Sequence, residues 1–333
     1  MFVGSRGYPG IFALPVDETI FEPFGKYLRG RGVRIQMESM LLGVESAGGR
    51  VSGAIVQDLR SGSRRRVEAD WYVMAVPQDR LPGVLTPELI SLDPLLWANS
   101  LRRLGEQWLG GGQLFIKKNA RLAAPLIAAT LAPWQTIAVD YAALRPGFSD
   151  RYGDGSIDQW ISLDLQTWDT VGSNGLTAKQ CTPGQLVNEL ITELGYSNDA
   201  WNRLDRRDIA RYQPSPVLKY SASGGPRNDE PLWGPIAGSW SSQPDAATKI
   251  ENLLVGASFA KNTTAIDSMD SGCEAGRRAA NAIFDRSGYT GDRAFVDSMV
   301  IAGPGLREVW EDDDRRYAAG LPNRFDVIRP YRR

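Results

Sequence analysis

The stretch NLLVGASFAKNTTAIDSMDSGCEAGRRAANAI, residues 252–283, limits the possible folds more than any other segment of the chain. IENLLVGASF supplies an apolar strand, and a long helix follows whose first turns carry almost no side chain. Asp267 and Ser268 are candidate N-caps, while Ser271-Gly272-Cys273-Glu274 also fits the S-x-x-E capping box, so the first turn can start at either place. Cys273, Gly276, Ala280, Ile283 and Phe284 follow helical spacing. Gly272, Ala275, Gly276, Ala279 and Ala280 let another backbone or a flat ligand approach closely, at some cost in helix propensity. Two readings stand: tight helix-on-sheet packing, or a helix start whose N–H groups and positive dipole end hold an electron-rich ligand edge.

Composition removes several alternatives. The chain has 333 residues and no histidine, which excludes Ser-His-Asp and Cys-His nucleophile pairs and every His-bearing metal site. Chemistry must then use carboxylates, Lys, Tyr, Cys or a borrowed cofactor, and a cofactor relieves the side chains of the difficult step. Cys181 and Cys273 are far apart and form no CxxC pair, so no metal site is expected. With 38 Lys plus Arg against 39 Asp plus Glu, no whole-chain field recruits nucleic acid or an anionic membrane, and RSGSRRR (60–66) reads as a hairpin loop. No run approaches the roughly 18–20 apolar residues of a spanning helix. Met1-Phe2-Val3-Gly4 lacks the regions of a signal peptide, so a cytoplasmic location is expected.

The layout alternates element types. ETIFEPFGKYLRGRG places Ile20, Phe21, Phe24, Tyr27 and Leu28 on one helical face, ended by Gly30 to Gly32. VRIQM, LLGVES, a GGR turn, VSGAIVQD and DWYVMAVP then read as strands. TPELISLDPLLWANSLRRL reads as helices broken at Asp93-Pro94; GGQLFIKK, PWQTIAVDYAAL and GSIDQWISLDLQTW read as strands. A long helix begins with Thr182 as cap and Pro183 at its first position, YSASGGPRNDEPLWGPIAG reads as loop, and the tail from Gly288 as one or two amphipathic helices.

Residues 252–283 also resemble the C-terminal flavin-binding signature of the phytoene desaturase-like branch of the FAD-dependent amine oxidase superfamily. FGKYLRGRGVRI, ADWYVMAVP, APWQTIAVD, GDGSIDQWISLDLQTWDTVG, CTPGQLVNEL and NDEPLWGPIAGSW resemble further segments of that family, in the same order. The resemblance implies a mixed α/β (α+β) fold. It implies that residues 1–85 are a partial FAD-binding domain, 86–245 a mixed-sheet substrate domain, 246–286 the C-terminal flavin-binding strand and helix, and 287–333 a helical tail. It implies FAD, with Gly256, Ala257 and Ser258 along the pyrophosphate and ribityl side. Asp267, Ser268, Met269 and Gly272 would approach the isoalloxazine ring, and Leu41 the adenine. The implied reaction is hydride removal from a carbon of an apolar or amine-like substrate. Trp134, Trp160 and Trp240 are candidates for the substrate cavity, against the plainer reading of core packing. No catalytic base is nominated; Asp164, Asp169, Lys219 and Lys261 are undistinguished.

Two departures qualify the resemblance. Ser258 stands where the family has an Asp that accepts a hydrogen bond from the cofactor. No G-x-G-x-x-G strand–turn–helix for the ADP moiety occurs in the chain, since GSRGYPG and GGG lack its spacing and context. The expectation is therefore a split flavoenzyme whose dinucleotide-binding segment comes from a separate, Rossmann-bearing subunit. The alternatives are a non-catalytic scaffold derived from such an enzyme and a fragment of a longer one.

Overall fold

Two adjacent glycines in the left-handed region, Gly48 (φ 60°) and Gly49 (φ 75°), close the first hairpin, as a two-residue turn matched to strand twist requires. The computed structural model describes residues 14–117, 124–145, 147–151, 154–195, 204–221, 224–296 and 304–322. The hairpin joins β1 (Ser39–Ala47) to β2 (Arg50–Asp58), and β3 (Arg64–Val67) completes an antiparallel meander. The basic run at 60–66 is thus half turn and half strand. Arg66 on β3 pairs across the meander with Glu45 at 2.6 Å, which gives those charges a place on an exposed strand face.

Before the meander comes α1 (Glu22–Gly30). Its predicted apolar face exists but is uncovered: Phe21, Phe24 and Tyr27 are each more than half exposed. The expected strand VRIQM does not form. Residues 33–36 carry no regular secondary structure and join no ladder with the described strands. After the meander, β4 (Tyr72–Met74) runs into the turn Ala75–Gln78. α2 (Pro87–Leu92) starts on the Thr86 cap, and Asp93 ends it before Pro94, as the sequence predicts. β5 (Glu106–Gln107) follows.

The middle of the chain builds a five-stranded sheet of order β10-β6-β9-β8-β7. Its strands are β6 (Gly111–Lys117), β7 (Leu126–Ala128), β8 (Ile137–Asp140), β9 (Ile157–Asp164) and β10 (Ile209–Pro214). Gln159, Ile161 and Leu163 on β9 are buried, while Asp158, Trp160 and Ser162 are only half covered, the period-2 pattern of a sheet with one core face. Against the core face lies α3 (Pro183–Gly195), which buries Leu186, Val187, Leu190 and Leu194. Its start matches expectation: Pro183 is first, and Thr182 Oγ1 accepts from Gln185 N at 3.4 Å.

The Gly- and Pro-rich segment expected to be loop instead carries short ladders. β11 (Leu218–Tyr220) pairs with β12 (Pro226–Asn228), and β13 (Leu232–Trp233) pairs with β5. Gly225 explains one glycine in it, because a Cβ there would fall 1.8 Å from the Lys179 carbonyl oxygen.

The chain then returns to its first part. β14 (Leu253–Val255), wholly buried, lies parallel to β4 with Leu254 opposite Val73. The other edge of β14 is met by Ala246 and Ala247, whereas the other edge of β4 has no strand beside it among the described residues. Val73 is accordingly 47% exposed, unusual for a strand of a parallel pair. α4 (Met269–Ser287) packs on this pair and ends at Gly288, whose φ of 71° is a left-handed cap.

The buried face of α4 takes Ala275 and Ala279 from the small-residue set and adds Ser271 and Ala282. Ser271, Ala275, Ala279 and Ala282 face the core, while Cys273 and Gly276 are exposed. Both sets have helical spacing, but the approach to β14 is close enough that the smallest side chains fill it. A last helix, α5 (Pro304–Ala318), matches the expected helical tail; the rest of that expectation falls partly on 297–303 and 323–333, outside the described residues.

The protein is therefore mixed α/β, with two main cores. One joins residues between Val44 and Leu104 to residues between Trp233 and Ala275; the other draws on residues between Leu114 and Leu218.

Candidate functional site

β4 and β14 point their carboxyl ends at the same place, and the start of α4 comes back to it. The three segments enclose an open groove of about 450 Å³. Ala75 to Gln78 form one side, Gly256 to Phe259 the second, Asp267, Ser268, Met269 and Gly272 the third, and Glu230 to Trp233 the rim. A crevice beyond the carboxyl ends of parallel strands is where open α/β sheets bind ligands.

Of the residues proposed for cofactor contact, Gly256, Ala257, Ser258, Asp267, Ser268, Met269 and Gly272 all line this groove. Leu41 does not. It sits on β1 opposite Val56 and packs partly on the first core.

The turn between β14 and α4 is held by Asn262, which the sequence reading did not single out, and by Glu274, which it offered for a capping box. Asn262, buried, donates to the carbonyls of Ser258 and Ala260, both at 2.7 Å, and accepts from Ala265 N at 2.8 Å. Glu274 accepts from Thr263 N at 3.1 Å, from Thr263 Oγ1 at 2.6 Å and from Arg278 Nε at 2.7 Å. Burial pushes the Glu274 carboxyl up, but the bonds from Thr263 and Arg278 outweigh it and hold the group below its usual range. Glu274 is thus no capping residue. Ser268 is the N-cap, and Ser271 completes the reciprocal box: Ser271 N donates to Ser268 Oγ at 3.2 Å, and Ser268 N to Ser271 Oγ at 3.0 Å. That settles which of the two helix starts suggested by the sequence is used.

Ser258 occupies the centre of a short chain. Trp233 Nε1 donates to Ser258 Oγ at 3.1 Å, and Ser258 Oγ donates to Asp267 Oδ1 at 2.6 Å. The neutral side chain at position 258 is therefore joined to a carboxylate from nine residues downstream. Trp233 also lines the groove from its rim.

Glycines separate the two readings of the small-residue helix. Helix-on-sheet packing accounts for Ala275, Ala279 and Ala282, which are buried. It does not account for Gly272 or Gly276, where a Cβ would meet no atom within 4 Å. Gly272 lines the groove, so the room beside it belongs to the cavity and not to the core.

The three tryptophans expected around a substrate are not brought together. Trp134 is fully buried in the second core, donates to the Thr170 carbonyl at 3.0 Å, and offers no surface to a ligand. Trp160 lies on the half-covered face of the five-stranded sheet, its ring 4.9 Å from Phe148 and 5.4 Å from Tyr141. Trp240 is half exposed on the single turn Ser239–Ser242. The other undistinguished polar residues have partners: Asp164 with Gly110 N and Gln166, Asp169 with Lys179, Lys219 with the Pro216 carbonyl, Lys261 with Asp245. Among the described residues no group of His, Cys, Asp and Glu could hold a metal ion, and no helix is long and apolar enough to cross a membrane.

No protein-family model matches the chain, and no curated protein matches it. Solved structures with partial similarity include an oxidoreductase from Methanosarcina mazei, 13% identical, with a TM-score of 0.43 over 81% of this chain and 54% of that one. A flavin-dependent brominase is 12% identical, with a TM-score of 0.37 over 89% of this chain and 61% of that one. The substrate-free form of the rebeccamycin biosynthetic enzyme is 15% identical, with a TM-score of 0.36 over 91% of this chain and 47% of that one. The chain thus spans about half to under two thirds of the length of these structures.

Proposed function

We propose that the chain is part of a FAD-dependent oxidoreductase and that the groove between β4, β14 and α4 holds the flavin. The observation that carries this reading is Gly272. A glycine inside a helix costs up to about 1 kcal/mol relative to alanine, and here no protein atom would oppose the alanine. The missing side chain makes sense if a flat ligand passes over it. Seven residues nominated from the sequence resemblance lining one groove supports the same reading, and the volume is in the range of roughly 300–1,000 Å³ that small-molecule and cofactor sites take up.

In this arrangement Gly256, Ala257 and Ser258 hold the polyol and phosphate side, and the start of α4 faces the ring. The chemistry that bound FAD supplies is acceptance of a hydride from a substrate carbon. The chain's share is to orient the ring, to place the positive end of α4 where negative charge develops, and to keep water out. The half-covered sheet face bearing Phe115 and Trp160 is suited to an apolar substrate. The scaffold alternative rests on Ser258 and on the missing Gly-rich turn, and Asp267 beside Ser258 weakens the first of these.

The dinucleotide-binding strand and helix are proposed to come from a partner subunit that docks on the free edge of β4. The exposed Val73 and the uncovered Phe24 and Tyr27 of α1 support such a docking. The test is an absorption spectrum of the chain with FAD, alone and mixed with a protein bearing G-x-G-x-x-G. A flavin band that stays with the protein through gel filtration is expected in the mixture, and Phe24→Glu with Tyr27→Glu should abolish it while leaving the chain folded. Absence of the band from both samples would remove the proposal.

A further inference from the structure

The polar atoms of the groove are unequally committed. A serine hydroxyl has one hydrogen to give and two lone pairs. Ser258 spends its hydrogen on Asp267 Oδ1 and one lone pair on Trp233 Nε1. Trp233 is buried and cannot swing away, so the Ser258 hydroxyl is fixed in direction and has no donor left for a ligand. Gln78 donates to the Gly105 carbonyl, and Ser268 is taken up by the first turn of α4. Asp267 differs. Its Oδ1 is held by Ser258, which sets the plane of the carboxylate, and its Oδ2 has no partner among the described residues. Asp267 lines the groove directly, so the strongest uncommitted acceptor in that wall is this oxygen.

A carboxylate only accepts hydrogen bonds, and its bonds to neutral donors are about twice as strong as neutral pairs. The complement of a fixed carboxylate with one open edge is a hydroxyl, and best a polyol whose neighbouring hydroxyls share the two oxygens. We infer that Asp267 is the group that binds the polyol hydroxyls of the ligand in this groove, and that Ser258 and Trp233 are positioning residues that aim it. The inference rests on the groove being a flavin site, where the ribityl chain supplies those hydroxyls. It relocates the polar anchor from the turn after β14 to the residue before the α4 cap.

The test compares riboflavin with lumiflavin, which has the same ring and no polyol, by quenching of flavin fluorescence on the chain assembled with its dinucleotide-binding partner. Asp267→Asn should weaken riboflavin by about tenfold or more and leave lumiflavin within about twofold. Ser258→Ala should weaken riboflavin less, because the carboxylate remains but loses its aim. The exchange Ser258→Asp with Asp267→Ser should restore most of the riboflavin affinity, which a merely structural role for Asp267 would not allow. Circular dichroism melting checks that each variant is folded. Unchanged riboflavin affinity in Asp267→Asn, or equal losses for the two ligands, overturns the role of Asp267 while the flavin site stands. If the unmodified assembly binds neither ligand, the flavin reading falls and takes this inference with it.

Discussion

Asn252 takes both backbone groups of Val51: its Oδ1 accepts from Val51 N at 3.0 Å, and its Nδ2 donates to Val51 O at 2.8 Å. The amide acts as a strand neighbour for β2 and fastens the meander to the residue that opens β14. Both residues are buried, so Asn252→Ala strands a donor and an acceptor away from water. The expected loss is roughly 2–4 kcal/mol in urea unfolding. A loss under about 1 kcal/mol would mean that water or a shifted backbone replaces the amide.

Glu193 should make stability depend on pH. It is fully buried on α3 and accepts from Trp134 N at 2.5 Å and Thr136 Oγ1 at 2.6 Å. Burial pushes its carboxyl up, and the bonds from Thr136 and Trp134 only partly oppose this. A folded-state value above the unfolded one, near about 4.3, favours the native state at low pH, and this contribution is lost as pH rises through the folded value. Glu193→Gln keeps an acceptor for Trp134 and a donor for Thr136, whose hydroxyl can turn. The variant should therefore gain on the unmodified protein between about pH 4 and 7 in denaturation series. A constant difference across that range would contradict the account.

Gly272→Ala should separate stability from binding. The new methyl meets no protein atom, so the helix gains up to about 1 kcal/mol and the melting midpoint rises by about 1–3 °C. Flavin affinity should fall, and Gly272→Leu should remove it. Unaltered binding by the leucine variant would show that nothing passes over this position.

The two cysteines should react differently. Cys181 is buried and its thiol is pushed up by that burial, whereas Cys273 is exposed on α4. In the native protein a thiol reagent should modify Cys273 quickly and reach Cys181 only in denaturant. Rapid loss of both thiols under native conditions would show that the second core opens readily.

Much of the local structure was written in short runs of sequence: the Gly48-Gly49 hairpin, the Thr182-Pro183 helix start, the break at Asp93-Pro94. The groove was readable because strand, turn and small-residue helix follow one another within residues 252–283. What could not be read depends on distant partners. VRIQM has strand composition, but composition does not supply a neighbouring strand. The ladder at 232–233 forms because β5, more than a hundred residues earlier, passes beside Leu232 and Trp233. The bond between Ser258 and Asp267 could not be read, since Asp267 reads locally as a helix cap and meets Ser258 only once the turn is folded. The sequence left the buried face of α4 open, because two sets of residues share one period and only the closeness of β14 chooses between them.

The division of the hydrophobic interior has a consequence for how the polypeptide acquires its shape. The core around β9 and α3 is made from one continuous stretch of chain, whereas the core around β4 and β14 joins stretches separated by that entire region. On a ribosome the inner unit can collapse as soon as it emerges, while the outer one must wait for residues near 250 before its halves can meet. Closing so long an intervening loop is slow. Newly made protein should therefore pass through a species with a finished middle and open flanks, the stage at which a chaperone or a second polypeptide has its best opportunity to bind.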